Sequence, residues 1–183
     1  MPTPSRTENK QAEYRRGNLW AWLFTALEAV AVLALLFTVA LFPERVNGTS
    51  MAPTLRPNEI LLVDRVTLFL RAPRRGELVI FKSPATGEEL IKRVVGLPGE
   101  TVQITDGRVY IDGRRLLEDA YSPDAAQDYG PEIVPEGAVF VLGDERNASL
   151  DSRDPAIGCV PYGKLDGRVR FRVSPIDRAA VFL

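Results

Sequence analysis

A serine placed between a glycine and a proline sits at the tip of a bend. Residues 47–55 read NGTSMAPTL, where Gly48 tolerates unusual dihedrals and Pro53 fixes its own φ, so the Ser50 hydroxyl is presented rather than packed. A serine becomes a nucleophile only when a base takes its proton. The chain contains no histidine, which excludes a Ser-His-Asp arrangement and leaves lysine as the best-precedented base. There are four lysines: Lys10, Lys82, Lys92 and Lys164. Lys10 precedes a long apolar run, and Lys82 and Lys164 adjoin turn residues where water reaches them. Lys92 lies inside the run LIKRVV, residues 90–95. On a strand its same-face neighbours are Leu90 and Val94. In water about one lysine amine in a few thousand is neutral at pH 7, and burial lowers the pKa by several units. The same pattern fits a lysine whose stem follows an edge strand while its amine stays wet. Arg93 points to the opposite face and must meet a carboxylate or solvent. A third cluster, GDERNASLDSR at 143–153, supplies hydroxyls and paired charges. Asp151 and Arg153 can hold each other there, and Ser149 can orient the lysine amine, although a solvated turn is the default reading of such a loop.

The elements that must bring these residues together follow from the hydropathy pattern. Residues 1–18 are polar and contain Pro2 and Pro4, as a flexible arm would. Residues 19–42, LWAWLFTALEAVAVLALLFTVALF, carry a single charge, Glu28. As a helix they would extend about 36 Å, enough for the ~30 Å hydrocarbon core of a bilayer. A buried soluble helix is the alternative, but such helices seldom stay apolar on every face for this long. Arg6, Lys10, Arg15 and Arg16 precede the run, and only Arg45 and Arg56 follow it closely. The positive-inside bias therefore predicts a cytoplasmic amino terminus and a domain 43–183 on the outer face of the membrane. Past the span, short apolar runs alternate with turns: strands are predicted over 60–63, 78–81, 90–95, 101–104, 108–111, 138–142 and 167–173. Asp106-Gly107 joins two of them as a hairpin, and Asp112-Gly113 offers a second turn. Residues 118–136, rich in Pro, Asp and Ala, read as a surface loop. This is the pattern of a mainly antiparallel β domain.

Composition narrows the function. Lys and Arg number 23 against 24 Asp and Glu, so no global field recommends a nucleic-acid partner. Cys159 has no mate in the chain, which excludes an intramolecular disulfide framework, and the lack of Cys and His leaves no recognisable zinc site.

The order of pieces resembles the bacterial type I signal peptidase, or leader peptidase, family. An apolar span is followed by Gly48-Thr49-Ser50-Met51-Ala52-Pro53-Thr54-Leu55 and by Gly76-Glu77-Leu78-Val79-Ile80-Phe81. Then come Ile91-Lys92-Arg93-Val94-Val95-Gly96-Leu97-Pro98-Gly99-Glu100, and Gly143-Asp144 through Ser149-Leu150-Asp151-Ser152-Arg153. The resemblance runs from about Leu19 to Gly167. It implies a Ser-Lys endopeptidase that removes signal peptides from exported preproteins at the outer face of the cytoplasmic membrane, with no metal or cofactor. The implied fold is mainly β: one N-terminal transmembrane helix, then a folded-over antiparallel catalytic sheet with a small β extension. By motif position Ser50 would be the nucleophile and Lys92 the general base. Ser149 would orient the amine, and Asp144, Asp151 and Arg153 would brace the site. Val46, Met51, Leu55 and Ile91 match positions lining shallow pockets for small residues one and three places before the cut, with the preprotein bound as an added strand.

Some positions depart from the family pattern. Gly48 stands where some members place a serine that supplies a hydroxyl to the oxyanion hole, so here the hole must rest on backbone N–H groups, chiefly that of Ser50, or on another donor. Glu145 replaces a usual asparagine, and Asp154-Pro155 lengthens the loop before Gly158. Two other readings remain. One is a different Ser-Lys protease of the same clan, of the pilus-maturation type or a self-cleaving repressor, the latter disfavoured by the apolar span and the lack of a helix–turn–helix pattern. The other is a catalytically silent, membrane-anchored protein that binds signal peptides.

Overall fold

The computed structural model describes residues 20–32, 41–117 and 127–182. The chain divides into two units, residues 1–40 and 41–183. The first contains one described helix, α1 (residues 20–32), in which every residue is exposed, Trp20, Trp22, Phe24 and Leu27 among them. Among the described residues no helix is long and apolar enough to cross a membrane. The arm 1–18, residue 19 and residues 33–40 of the expected span lie outside the described residues. The last two residues of that span, Leu41 and Phe42, are not helical. They open strand β1 (Leu41–Arg45), where Leu41 faces Asp64 and Phe42 faces Val63. Leu41 and Phe42 are as apolar as the sequence before them, so hydropathy alone could not separate this strand from the run.

The second unit is built from antiparallel strands. Its larger sheet has the order β1, β2 (Ile60–Asp64), β11 (Leu165–Ser174), β3 (Leu78–Lys82), β4 (Glu89–Gly96), β9 (Ala138–Leu142) and β10 (Val160–Pro161), with β12 (Ala180–Val181) against β11. The smaller sheet has the order β7 (Arg114–Arg115), β6 (Arg108–Ile111), β5 (Thr101–Thr105) and β8 (Tyr129–Ile133). The two Asp-Gly turns are formed as expected. Asp106, Gly107, Asp112 and Gly113 all take positive φ, the geometry that matches the twist of a two-residue hairpin. A short helix, α2 (Thr67–Leu70), follows β2.

Alternation assigns the side chains to three cores. On β3, Leu78 and Ile80 join Val46, Met51, Leu55, Leu61 and Val63 on one face, while Val79 and Phe81 join Val94, Val139 and Val141 on the other. On β9, Phe140 and Leu142 turn to the small sheet and pack with Val102, Ile104 and Val109. Strands buried on both faces read as continuous apolar runs, which is why LVIF and AVFVL were legible. Strand β8 was not, because it falls within the segment read as a loop. Its sequence YGPEI leaves three of five residues exposed, so it presents no apolar alternation; it is held by backbone pairing to β5 and by Tyr129, whose ring lies 5.2 Å from that of Phe140.

Candidate active site

The turn that carries Ser50 is anchored on either side of the serine. Met51 and Leu55 are buried in the core, Ala52 N–H donates to Thr49 O at 2.9 Å, and Leu55 N–H donates to Met51 O at 2.8 Å. The back of the turn is held by residues far along the chain. Arg172 Nη1 donates to Thr54 O at 2.6 Å, and Arg178 Nη2 donates to Pro53 O at 3.2 Å. Both arginines form ion pairs with the buried Glu59, at 3.3 and 2.5 Å. These three supports were missed from sequence, since no local pattern links Glu59 or Pro53 to arginines more than a hundred residues later.

Lys92 comes from β4, opposite Val79 of β3, with its same-face neighbours Leu90 and Val94 packed in the apolar cluster around Val79 and Phe81. It is 1% exposed, and its Nζ donates to Ser50 Oγ at 2.7 Å. With the amine neutral, the same contact is made by the hydroxyl donating to nitrogen. Burial is the largest influence on the amine and lowers its pKa from 10.5 to about 8, against the opposing pull of Asp151 and Asp144 and with a smaller downward push from Arg153. At pH 7 roughly one amine in ten is then neutral, instead of one in a few thousand. Lys82 and Lys164 are exposed, and Lys10 lies outside the described residues.

Arg93 leaves the opposite face of β4 and ties the site together from behind. It forks onto Asp144, Nε to Oδ1 at 2.9 Å and Nη2 to Oδ2 at 2.6 Å, and its Nη1 donates to Gly76 O at 2.8 Å. In the same loop Arg153 forks onto Asp151 at 2.8 and 2.9 Å. Asp151 also accepts from Gly143 N–H at 3.0 Å, and Arg153 reaches Arg146 O at 2.7 Å. Glu145 N–H donates to the Ser50 carbonyl at 3.0 Å. This contact uses the backbone of residue 145, so a glutamate serves it as well as any other side chain.

Ser149 departs from expectation. It lies beside the dyad, but its Oγ is buried with no hydrogen-bond partner, so the expected bond to the Lys92 amine is not formed. The hydroxyl occupies the open face of Gly143: a Cβ there would overlap Ser149 Oγ and lie 2.7 Å from Ser50 O. Gly143 thus leaves room for both serines.

A cleft of about 430 Å³ opens beside the dyad, lined by Val46, Met51, Ile80 and Ile91 among others. Three of the four pocket residues expected from sequence are on its wall. Leu55 is not: it is fully buried beneath Met51's side of the core. Ile80 takes a wall position instead, and the signal for it was the strand register that sets Ile80 opposite Ile91. Among the described residues no three His, Cys, Asp or Glu side chains gather as a metal site requires.

The family model for signal peptidase, peptidase S26, matches residues 19–174. The chain belongs to that family. Its similarity to curated relatives extends over most of both partners. It is 35% identical to the probable signal peptidase I-2 of Synechocystis sp. over 96% of this chain and 83% of that one. It is 36% identical to the signal peptidase I of Bacillus licheniformis over 93% and 96%, and 42% identical to that of Leptolyngbya laminosa over 73% and 68%. The peptidase is accordingly a hydrolase of the signal peptidase I type.

Proposed function

We propose that this chain is a membrane-anchored endopeptidase that cuts signal peptides from exported preproteins with Ser50 as nucleophile and Lys92 as general base. The observation that carries the reading is a buried amine 2.7 Å from a serine hydroxyl in a cleft walled by Val46, Met51, Ile80 and Ile91 among others. Neutral Lys92 takes the Ser50 proton as Oγ attacks the scissile carbonyl. The tetrahedral oxyanion is met by backbone N–H groups, chiefly that of Ser50. Lys92, now protonated, delivers its proton to the leaving amine, and the acyl-enzyme remains. The free amine then takes a proton from water, the hydroxide attacks the ester, and Ser50 recovers its proton from Lys92.

The preprotein lies extended along the cleft. Glu89 to Lys92 of β4 pair with β3 on one side, while β9 joins the other side only from Arg93 onward, so this edge has backbone groups available for an added strand. Val46, Met51 and Ile91, with Ile80, form the shallow apolar wall that admits small side chains one and three positions before the cut. Asp144, Asp151 and Arg153 brace the loop that positions the dyad, and Ser149 fills the space next to it. The exposed apolar helix α1, within an apolar run from 19 to 42, supports anchoring in the cytoplasmic membrane. The basic arm would remain inside and residues 43–183 outside. No cofactor or metal takes part.

Purified Ser50→Ala and Lys92→Ala variants, each with an unchanged circular dichroism spectrum, should fail to cleave a preprotein bearing Ala-x-Ala before the scissile bond. Normal processing by either variant refutes the dyad, and the lack of turnover by the unmodified enzyme would favour a silent binding protein.

A further inference from the structure

The cleft that begins at the dyad ends in negative charge. Its wall carries Glu44, Glu88 and Glu89 with Arg45 beside them, and Lys82 stands opposite Glu89 on β3. Glu44 lies six residues before Ser50 on one wall and Glu89 lies three before Lys92 on the other, so both stand at the far end from the dyad. The two carboxylates sense each other across the gap. Partial burial, then the charge of Glu89, raises the Glu44 pKa, against the N–H of Arg45 and the charge of Arg65. Arg65, stacked 3.7 Å over the Phe42 ring on the same strand, is a second cation near Glu44 and offsets part of its charge. The unpaired edge of β4 at Glu89 to Lys92 runs along this same stretch, and that edge, rather than the acidic side chains, is what points to an extended peptide here.

Strand alternation sets the register. Glu44 shares a face with Val46, and Glu89 shares one with Ile91, each two residues further from the dyad. Val46 and Ile91 wall the pockets for residues one and three before the cut. In an extended peptide the next side chain on that face belongs to the residue five before it. We propose that Glu44 and Glu89, with Glu88 at the rim, form a subsite that favours a basic side chain five positions before the scissile bond and disfavours an acidic one. The proposal rests on the peptidase reading above and names a specificity it does not contain.

Three signal-peptide substrates identical except for Lys, Gln or Glu at that position test it, with kcat/KM measured on the full-length enzyme in detergent. A unit charge about 6 Å from one carboxylate in a mostly aqueous setting changes the ratio roughly five-fold, so Lys over Gln and Gln over Glu should each be about five-fold at low salt. Both ratios should collapse toward one in ~0.5 M salt, where the screening length is only a few ångströms, and in Glu44→Gln/Glu89→Gln. The single variant Glu89→Gln, altered at an exposed side chain, should compress them in part and serves if the double variant does not fold. Equal rates for all three substrates with the unmodified enzyme at low salt, or ratios that persist in the variants, overturn the subsite. Failure of the folded enzyme to cut even the Gln substrate would instead overturn the peptidase reading, and the subsite with it.

Discussion

Arg153→Gln tests whether the loop at 143–153 sets the basicity of Lys92. In the folded protein Arg153 forks onto Asp151 at 2.8 and 2.9 Å, and the two groups push the Lys92 amine in opposite directions, Asp151 raising its pKa and Arg153 lowering it. Removing the guanidinium deletes a repelling cation and also leaves the Asp151 carboxylate without its partner. Both changes favour the protonated amine. A rise of about one unit from the starting value of about 8 takes the neutral fraction at pH 7 from roughly a tenth to roughly a hundredth. The expected result is therefore a tenfold loss of kcat/KM at pH 7 that is recovered by pH 10. The assay is cleavage of one preprotein from pH 6 to 10, because the profile of kcat/KM reports the free enzyme. The unmodified enzyme should gain about tenfold from pH 6 to 7 and level off above 8. A variant whose rising limb stays in place, with a uniform loss at every pH, would show that Arg153 supports the loop without tuning the base. A limb displaced to lower pH would refute the electrostatic argument outright.

Gly143→Ala would place a methyl group in overlap with Ser149 Oγ, 2.5 Å from Ser149 Cβ and 2.7 Å from Ser50 O, well inside the ~3.5–4 Å of a normal contact. The serines must part by an ångström or more, and a shift of that size costs on the order of 10²-fold in rate; near-normal kcat would count against the packing described. Lys92→Met should be inactive yet more stable. The unfolded lysine keeps its proton up to about pH 10.5 and the folded one only up to about 8, so the penalty is fully present below pH 8 and vanishes above 10.5. A 2.5-unit depression corresponds to about 3 kcal/mol, or several degrees in Tm at pH 7, and the gap between variant and unmodified protein should narrow as pH rises from 8 to 10.5. A gap independent of pH would mean that the amine is not the source of the strain.

What was legible in the sequence was set by burial on two faces or by turn chemistry. Leu78 to Phe81 and Ala138 to Leu142 are apolar throughout because two cores flank them. The Asp-Gly pairs mark hairpins because both residues must take positive φ. Strands at the margins left no such trace: β8, β7 and β12 are short or exposed and are held by backbone pairing to a neighbour. Within the site, the candidate pair Ser50 and Lys92 could be chosen by eliminating histidine and by the apolar neighbours of one lysine, a local property. The clamp of Glu59, Arg172 and Arg178 on the Pro53 and Thr54 carbonyls could not, because arginines on an exposed-looking tail carry no mark of what they will reach. Leu55 and Ile80 were exchanged for the same reason: which apolar residue faces a cleft and which lies beneath it depends on how the sheet curls, not on side-chain type.

The placement of the dyad follows from two consecutive residues of one strand. Lys92 and Arg93 must point to opposite faces of β4, so a strand that sends an amine toward Ser50 sends a guanidinium toward Asp144. Asp144 adjoins Gly143 and Glu145, the first making room for the serines and the second holding the Ser50 carbonyl. The loop that shields Lys92 is therefore fixed by its neighbour on the strand, and the turn bearing Ser50 is fixed by that loop. Exchanging the two side chains, Lys92→Arg together with Arg93→Lys, would keep the composition and the strand while facing a guanidinium, which does not lose its proton at accessible pH, toward Ser50. The proposed chemistry is bound to the order of the two residues, and that is why the Lys-Arg dipeptide, more than either residue alone, is the informative mark in this sequence.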